Sequence, residues 1–140
     1  MVEYGEILIR LILALAAGGL VGFQREKVHK PAGIRTYMLV CIGSAIFVLI
    51  ALESLPNDVA RIMAGIATGI GFLGAGTIFR SKNEVHGLTT AASIWAIAAI
   101  GMSFGMGLYF IATTGLILVF VVLQFSKYRF KKIFCFSSQS

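Results

Sequence analysis

Five stretches of this 140-residue chain are almost free of charge: Ile7–Phe23, Tyr37–Leu52, Ile62–Phe79, Leu88–Phe104 and Met106–Ser126. Each runs to roughly 16–21 residues, close to the length an α-helix needs to cross the hydrocarbon core of a bilayer. A soluble domain of this size cannot hide five such runs, because its surface needs polar side chains. Only 13% of the residues are charged, and they fall in the gaps between the runs. The sequence therefore predicts an all-α polytopic membrane protein with five transmembrane helices over residues 1–126, followed by a basic cytoplasmic tail over 127–140.

The net charge of +6 would point to nucleic acid in a soluble protein. Here the distribution of the charges gives them another role. Arg25, Lys27, Lys30 and Arg35 lie between runs 1 and 2, Arg80 and Lys82 between runs 3 and 4, and Lys127, Arg129, Lys131 and Lys132 in the tail. If the helices alternate in direction, ten of the twelve Lys and Arg lie on one side. Arg10 and Arg61 remain on the other, with Glu3, Glu6, Glu53 and Asp58. The positive-inside rule then places the N-terminus outside and the C-terminus in the cytoplasm. The bilayer is the expected partner and nucleic acid is not. Glu3 and Glu6 ahead of the first run argue against a signal peptide, which begins with a positive region. Run 1 is read as a retained helix whose Arg10 snorkels to the outer interface.

Glycine spacing predicts the packing. Between membrane helices, small residues allow backbones to approach closely. Gly18 and Gly22 are spaced for this on helix 1, as are Gly65, Gly69 and Gly76 on one face of helix 3. Gly71, Gly74 and neighbouring alanines fall elsewhere on helix 3, which marks it as the packed centre. On helix 4 the expected small positions are Ala92, Ala96 and Ala99, with Trp95 as a packing residue. Helix 5 is bulky and reads as lipid-facing. A short echo, Gly22-Phe23-Gln24-Arg25 then Gly33-Ile34-Arg35-Thr36 against Gly71–Gly76 then Gly87-Leu88-Thr89-Thr90, suggests a parallel repeat of helices 1-2 and 3-4.

The residues that offer chemistry are few. Arg25 and Arg35 stand at consecutive helix ends, where each can anchor topology, pair with Glu26 or hold a phosphate. Arg35 is the sharper candidate, because a cation at a helix start opposes the helix dipole. Asp58 reads as a helix cap with Arg61 in reach one turn on, and Thr90 offers a hydroxyl near the start of helix 4. His29 and His86 have no nucleophile partner in sequence, so no enzyme is expected. Cys41 and Cys135 have no metal-like spacing. No Asp or Glu lies at mid-depth, which disfavours a magnesium path built from oxygen ligands in one subunit. No cofactor or metal site is expected.

Four blocks together carry a resemblance: Gly22-Phe23-Gln24-Arg25-Glu26, Ala32-Gly33-Ile34-Arg35-Thr36, Gly69-Ile70-Gly71-Phe72-Leu73-Gly74-Ala75-Gly76 and Gly87-Leu88-Thr89-Thr90-Ala91-Ala92-Ser93-Ile94-Trp95. In order and spacing the chain resembles the MgtC/SapB family of bacterial membrane proteins, in a short form without the C-terminal soluble domain. Gln24 stands where the family usually has an acidic residue, with Glu26 nearby as a partial substitute. The resemblance implies an inner-membrane protein connected with magnesium limitation. It implies a non-enzymatic regulator of ion or energy homeostasis acting through other membrane proteins, such as the ATP synthase. The alternative is a small oligomeric transporter or channel, with magnesium as its candidate ion, and a homo-oligomer is compatible with either.

Overall fold

The computed structural model describes residues 3–81 and 84–136, with side chains to residue 124 in the last helix. Five helices follow one another: α1 (Tyr4–Lys27), α2 (Ile34–Ser54), α3 (Val59–Ala75), α4 (Leu88–Gly105) and α5 (Tyr109–Phe136). Between α3 and α4 the expected loop forms a small antiparallel hairpin, β1 (Phe79–Ser81) and β2 (Glu84–His86), with Arg80 opposite Val85. Helices α1, α2 and α4 are long and apolar enough to cross a membrane. Helix α3, at 17 residues, spans about 26 Å at 1.5 Å per residue, and the described part of α5, Tyr109–Gln124, is apolar.

The helices begin and end for local reasons. Helix α1 carries Glu6 in its first turn and Arg25 and Lys27 in its last, matching the helix dipole at both ends. Pro31 follows, and the residue before a proline avoids helical geometry. Helix α2 starts where the Glu26 carboxylate accepts a bond from the Ile34 N–H at 2.9 Å. Helix α4 ends in a Schellman turn: the Leu108 N–H reaches the Ser103 oxygen and the Gly107 N–H reaches the Phe104 oxygen, both at 2.9 Å. Gly107, at φ 77°, supplies the left-handed residue this turn requires.

Helix α4, not α3, is the packed centre. It contacts all four other helices, and more than half of its residues are buried, Ile94, Ile97 and Phe104 among them. Of α3, Gly74 alone is buried among the described residues. Helix α2 lies between two close glycine pairs. A Cβ at Gly18 would stand 2.5 Å from the Tyr37 carbonyl oxygen, and one at Gly22 would stand 2.6 Å from the Ile34 Cα. On the other side, a Cβ at Gly105 would stand 2.7 Å from the Ala45 oxygen, and Gly101 sits against the Cys41 main chain.

Several expectations are corrected. Gly65, Gly69 and Gly71 face open space, with no atom within 4 Å of an added Cβ, so they are not close-packed within this chain. Gly74 makes an ordinary contact with Ala91 at 3.5 Å. A Cβ at Gly76 would meet only the carbonyl oxygens of Leu73 and Phe72, on its own segment. On α4, Gly101 and Gly105 make the close contacts while Ala92 is exposed. Trp95 is 55% exposed and so turned away from the core. Helix α5 does not stop at Ser126 but continues to Phe136, and the side chains of the basic tail lie outside the described residues. Its Leu118 is 60% exposed.

Arg10 does not snorkel outward. It is buried, donates to the Gly105 oxygen at 2.7 Å and pairs with Glu6. It thereby satisfies a carbonyl left without a partner at the end of α4.

Candidate functional site

The last turn of α1, the first turn of α2 and the first turn of α4 meet at one end of the bundle. Helical periodicity aims Arg25 into this junction. It lies four residues after Val21 and seven after Gly18, so it continues the buried stripe of α1. That stripe begins with Arg10 and ends with Arg25.

Arg25 is 2% exposed. One bond is formed by its guanidinium among the described residues: Nη2 donates to Thr90 Oγ1 at 3.1 Å. Its Nε has no partner. One turn along α4, Ser93 donates to the Thr90 oxygen at 2.9 Å. The Tyr37 hydroxyl from α2 then donates to Ser93 Oγ at 2.5 Å. Gln24, beside Arg25 in sequence, is also buried; its Nε2 donates to the Leu123 oxygen on α5 at 3.4 Å, and its Oε1 has no partner among the described residues. A polar network thus joins α1, α2 and α4 in an otherwise apolar interior.

Glu26 belongs to the neighbouring turn rather than to this network. It caps α2 through Ile34, and a side chain at Gly33 would push it away, since a Cβ there would stand 2.7 Å from its Oε2. Arg35 is exposed and makes no hydrogen bond or ion pair among the described residues. Asp58 makes no capping bond at the start of α3; it pairs instead with Arg61 at 2.7 Å, with the arginine side chain 84% exposed. Of the sequence candidates, the structure therefore brings Arg25 and Thr90 together, places Glu26 next to them, and leaves Arg35, Asp58 and Arg61 elsewhere. Tyr37 was missed. The signal was available, because a tyrosine buried in an apolar run needs a partner for its hydroxyl.

A pocket of about 560 Å³ opens beside Arg25 and Thr90. Its walls include His29, Lys30, His86 and Thr89. His29 holds a left-handed conformation at φ 52° where α1 turns toward Pro31. Gly87, at φ 89°, begins α4 without a side-chain cap, and its missing Cβ lets it lie against the Thr77 carbonyl oxygen. A second, apolar groove of about 700 Å³ runs between α2 and α3, lined by Gly43, Phe47, Gly65 and Gly69 among others.

The MgtC family profile matches residues 11–131. The chain belongs to the MgtC family. It is 41% identical over 128 residues to "Putative magnesium transporter YhiD" of Escherichia coli, a match covering 85% of this chain and 60% of that protein. It is 43% identical over 100 residues to the protein MgtC of Salmonella typhimurium, covering 71% of this chain and 43% of the relative. Protein SrpB of Synechococcus elongatus is 37% identical over 130 residues, covering 82% and 71%. The chain thus spans less than two thirds of YhiD and of MgtC. No solved structure matches.

In this MgtC-family chain, three of the four blocks that carry the resemblance converge on the same junction. Gly22–Glu26 supplies Arg25, Ala32–Thr36 leads into Tyr37, and Gly87–Trp95 supplies Thr90 and Ser93. The fourth, Gly69–Gly76, touches the junction's helix through Gly74 and Ala91.

Proposed function

We propose that this MgtC-family protein is a non-enzymatic regulator of ion or energy homeostasis in the bacterial inner membrane, active under magnesium limitation and acting through other membrane proteins. The ATP synthase is a partner suggested by the family resemblance. All five helices cross the bilayer in this reading, with the N-terminus outside and the basic end, including Arg25, at the cytoplasmic face. Helices α1–α2 and α3–α4 are read as parallel repeats. Gly22 lies against Tyr37 and Gly74 against Ala91, and those partners stand at equivalent positions, four residues after Gly33 and Gly87.

The observation that carries the regulatory reading is the sign of the buried charge. The charged side chains buried between the described helices are two guanidiniums, Arg10 and Arg25. Arg10 is offset by Glu6, whereas Arg25 meets a neutral hydroxyl. A fixed cation in a poorly solvated interior repels a divalent cation. The printed name of YhiD favours a second reading, a small oligomeric magnesium transporter. Purified protein in liposomes separates the two. Magnesium influx from the protein alone would establish transport and remove the regulatory reading. Crosslinking to another membrane protein in magnesium-starved cells, without such flux, is the expected result.

A further inference from the structure

We propose that the pocket at the basic end is a phosphate-binding site in which Arg25 and the N-terminus of α4 hold the phosphate group of an anionic ligand. The inference goes beyond the regulatory reading and does not rest on it.

Arg25 is the first observation. A guanidinium removed from water loses its hydration and needs an anion or a full set of acceptors to offset that loss. Arg25 has five N–H donors, one neutral acceptor in Thr90 and an Nε without a partner among the described residues. Its neighbour Glu26, the obvious acid, is committed to the Ile34 N–H.

The second observation is independent of the first. Helix α4 opens into the same pocket at Leu88, Thr89 and Thr90. The first N–H groups of a helix have no acceptor within it, and no side chain caps these. They carry the positive end of the helix dipole, a favourable place for an oxyanion. Arg25 from α1 and the first turn of α4 therefore line one pocket. Lys30, His29 and His86 extend the basic wall, and no acidic side chain is among the lining residues. Glu84 lies 3.8 Å from His86 and is largely exposed.

This donor pattern suits a phosphate. The planar guanidinium binds two oxygens at once, and the helix amides can take another. The volume of about 560 Å³ lies within the usual range for small-molecule sites, about 300–1,000 Å³. It leaves space for an organic group attached to the phosphate. Two sources share this chemistry: the headgroup of an anionic phospholipid and a phosphate free in solution.

The test uses the full chain purified in maltoside detergent, stripped of lipid, with thermal unfolding as the readout. One arm adds inorganic phosphate against chloride at equal ionic strength. The other adds short-chain phosphatidylglycerol against phosphatidylcholine. We expect a concentration-dependent rise in Tm in one arm, and the arm that responds names the source. Arg25→Gln should weaken the apparent affinity about tenfold or more, as expected for loss of a charge-assisted bond. Should Arg25→Gln fail to fold, Lys30→Gln on the pocket wall serves instead and should weaken binding several-fold with the unliganded Tm unchanged. No shift in either arm overturns the site. A shift that survives unchanged in the folded variant also overturns it, because the anion then binds elsewhere.

Discussion

Gly101 on α4 lies so close to Cys41 on α2 that a side chain at position 101 would strike the Cys41 carbonyl oxygen. Gly105 repeats the contact one turn on against Ala45. Backbone cannot swing aside as a long side chain can, so this approach tolerates little added volume. Gly101→Leu is expected to destabilise the protein by about 1–3 kcal/mol or more, the usual scale for overpacking. Gly71→Leu should be close to neutral, because open space lies beside it. Thermal melting of the two variants in detergent checks the ranking. Equal loss would mean that α3 packs as tightly as α4.

Tyr37 and Ser93 give an asymmetric pair of substitutions. Tyr37→Phe removes one hydroxyl, while Ser93 keeps its bond to the Thr90 oxygen. The expected loss is about 0.5–1.5 kcal/mol. Ser93→Ala strands the buried Tyr37 hydroxyl and should destabilise more, by about 1–3 kcal/mol. Denaturation of both variants under the same conditions reads the order directly. The opposite order would show that the tyrosine hydroxyl has another acceptor.

Arg10 closes the far end of α4. Arg10→Gln removes the charge that faces Glu6 and weakens the bond to the Gly105 oxygen. We expect about 1.5–3 kcal/mol of destabilisation, the range for hydrogen bonds to charged groups. Arg61→Gln removes an exposed pair with Asp58 and should change stability by no more than about 1 kcal/mol. Similar melting losses for the two would count against a structural role for Arg10.

The two arginines of the shared blocks should separate in function. Arg35 is exposed without a bonded partner among the described residues, so Arg35→Lys should support growth in low magnesium as well as the parent does. Arg25→Lys should fail at normal membrane abundance, because an ammonium cannot reproduce the planar fork beside Thr90. Complementation of a deletion strain, with protein levels measured in parallel, decides between them. Failure of Arg35→Lys with success of Arg25→Lys would return the site to Arg35.

Orientation has its own measurement. A reporter fused at Ser140 that is active only in the cytoplasm should be active, given the ten-to-two split of Lys and Arg. Activity from a periplasm-specific reporter at the same position would reverse the topology and with it the cytoplasmic assignment of the Arg25 pocket.

Five helices were legible in the sequence, because each apolar run is long and nearly free of charge; the end of α5 was not, since its basic last turns continue the helix to Phe136. Gly18 and Gly22 were legible as a close contact for a similar reason: their four-residue spacing puts both on one face. Gly65 and Gly69 share that spacing and yet face open space, while Gly101 and Gly105, equally readable, hold α2 against α4. Spacing says which residues share a face, but not which helix that face meets. The same limit hid the site. Arg25 and Arg35 look alike as charges at helix ends, and only the docking of α1 against α4 buries the first beside Thr90 and leaves the second in the open. The order and rough placement of the apolar helices follow from the amino-acid sequence alone, since they depend on the transfer of each residue from water. Which helix is central and which arginine is enclosed follow from packing, since they depend on contacts between residues as far apart as Arg25 and Thr90 that no local pattern encodes.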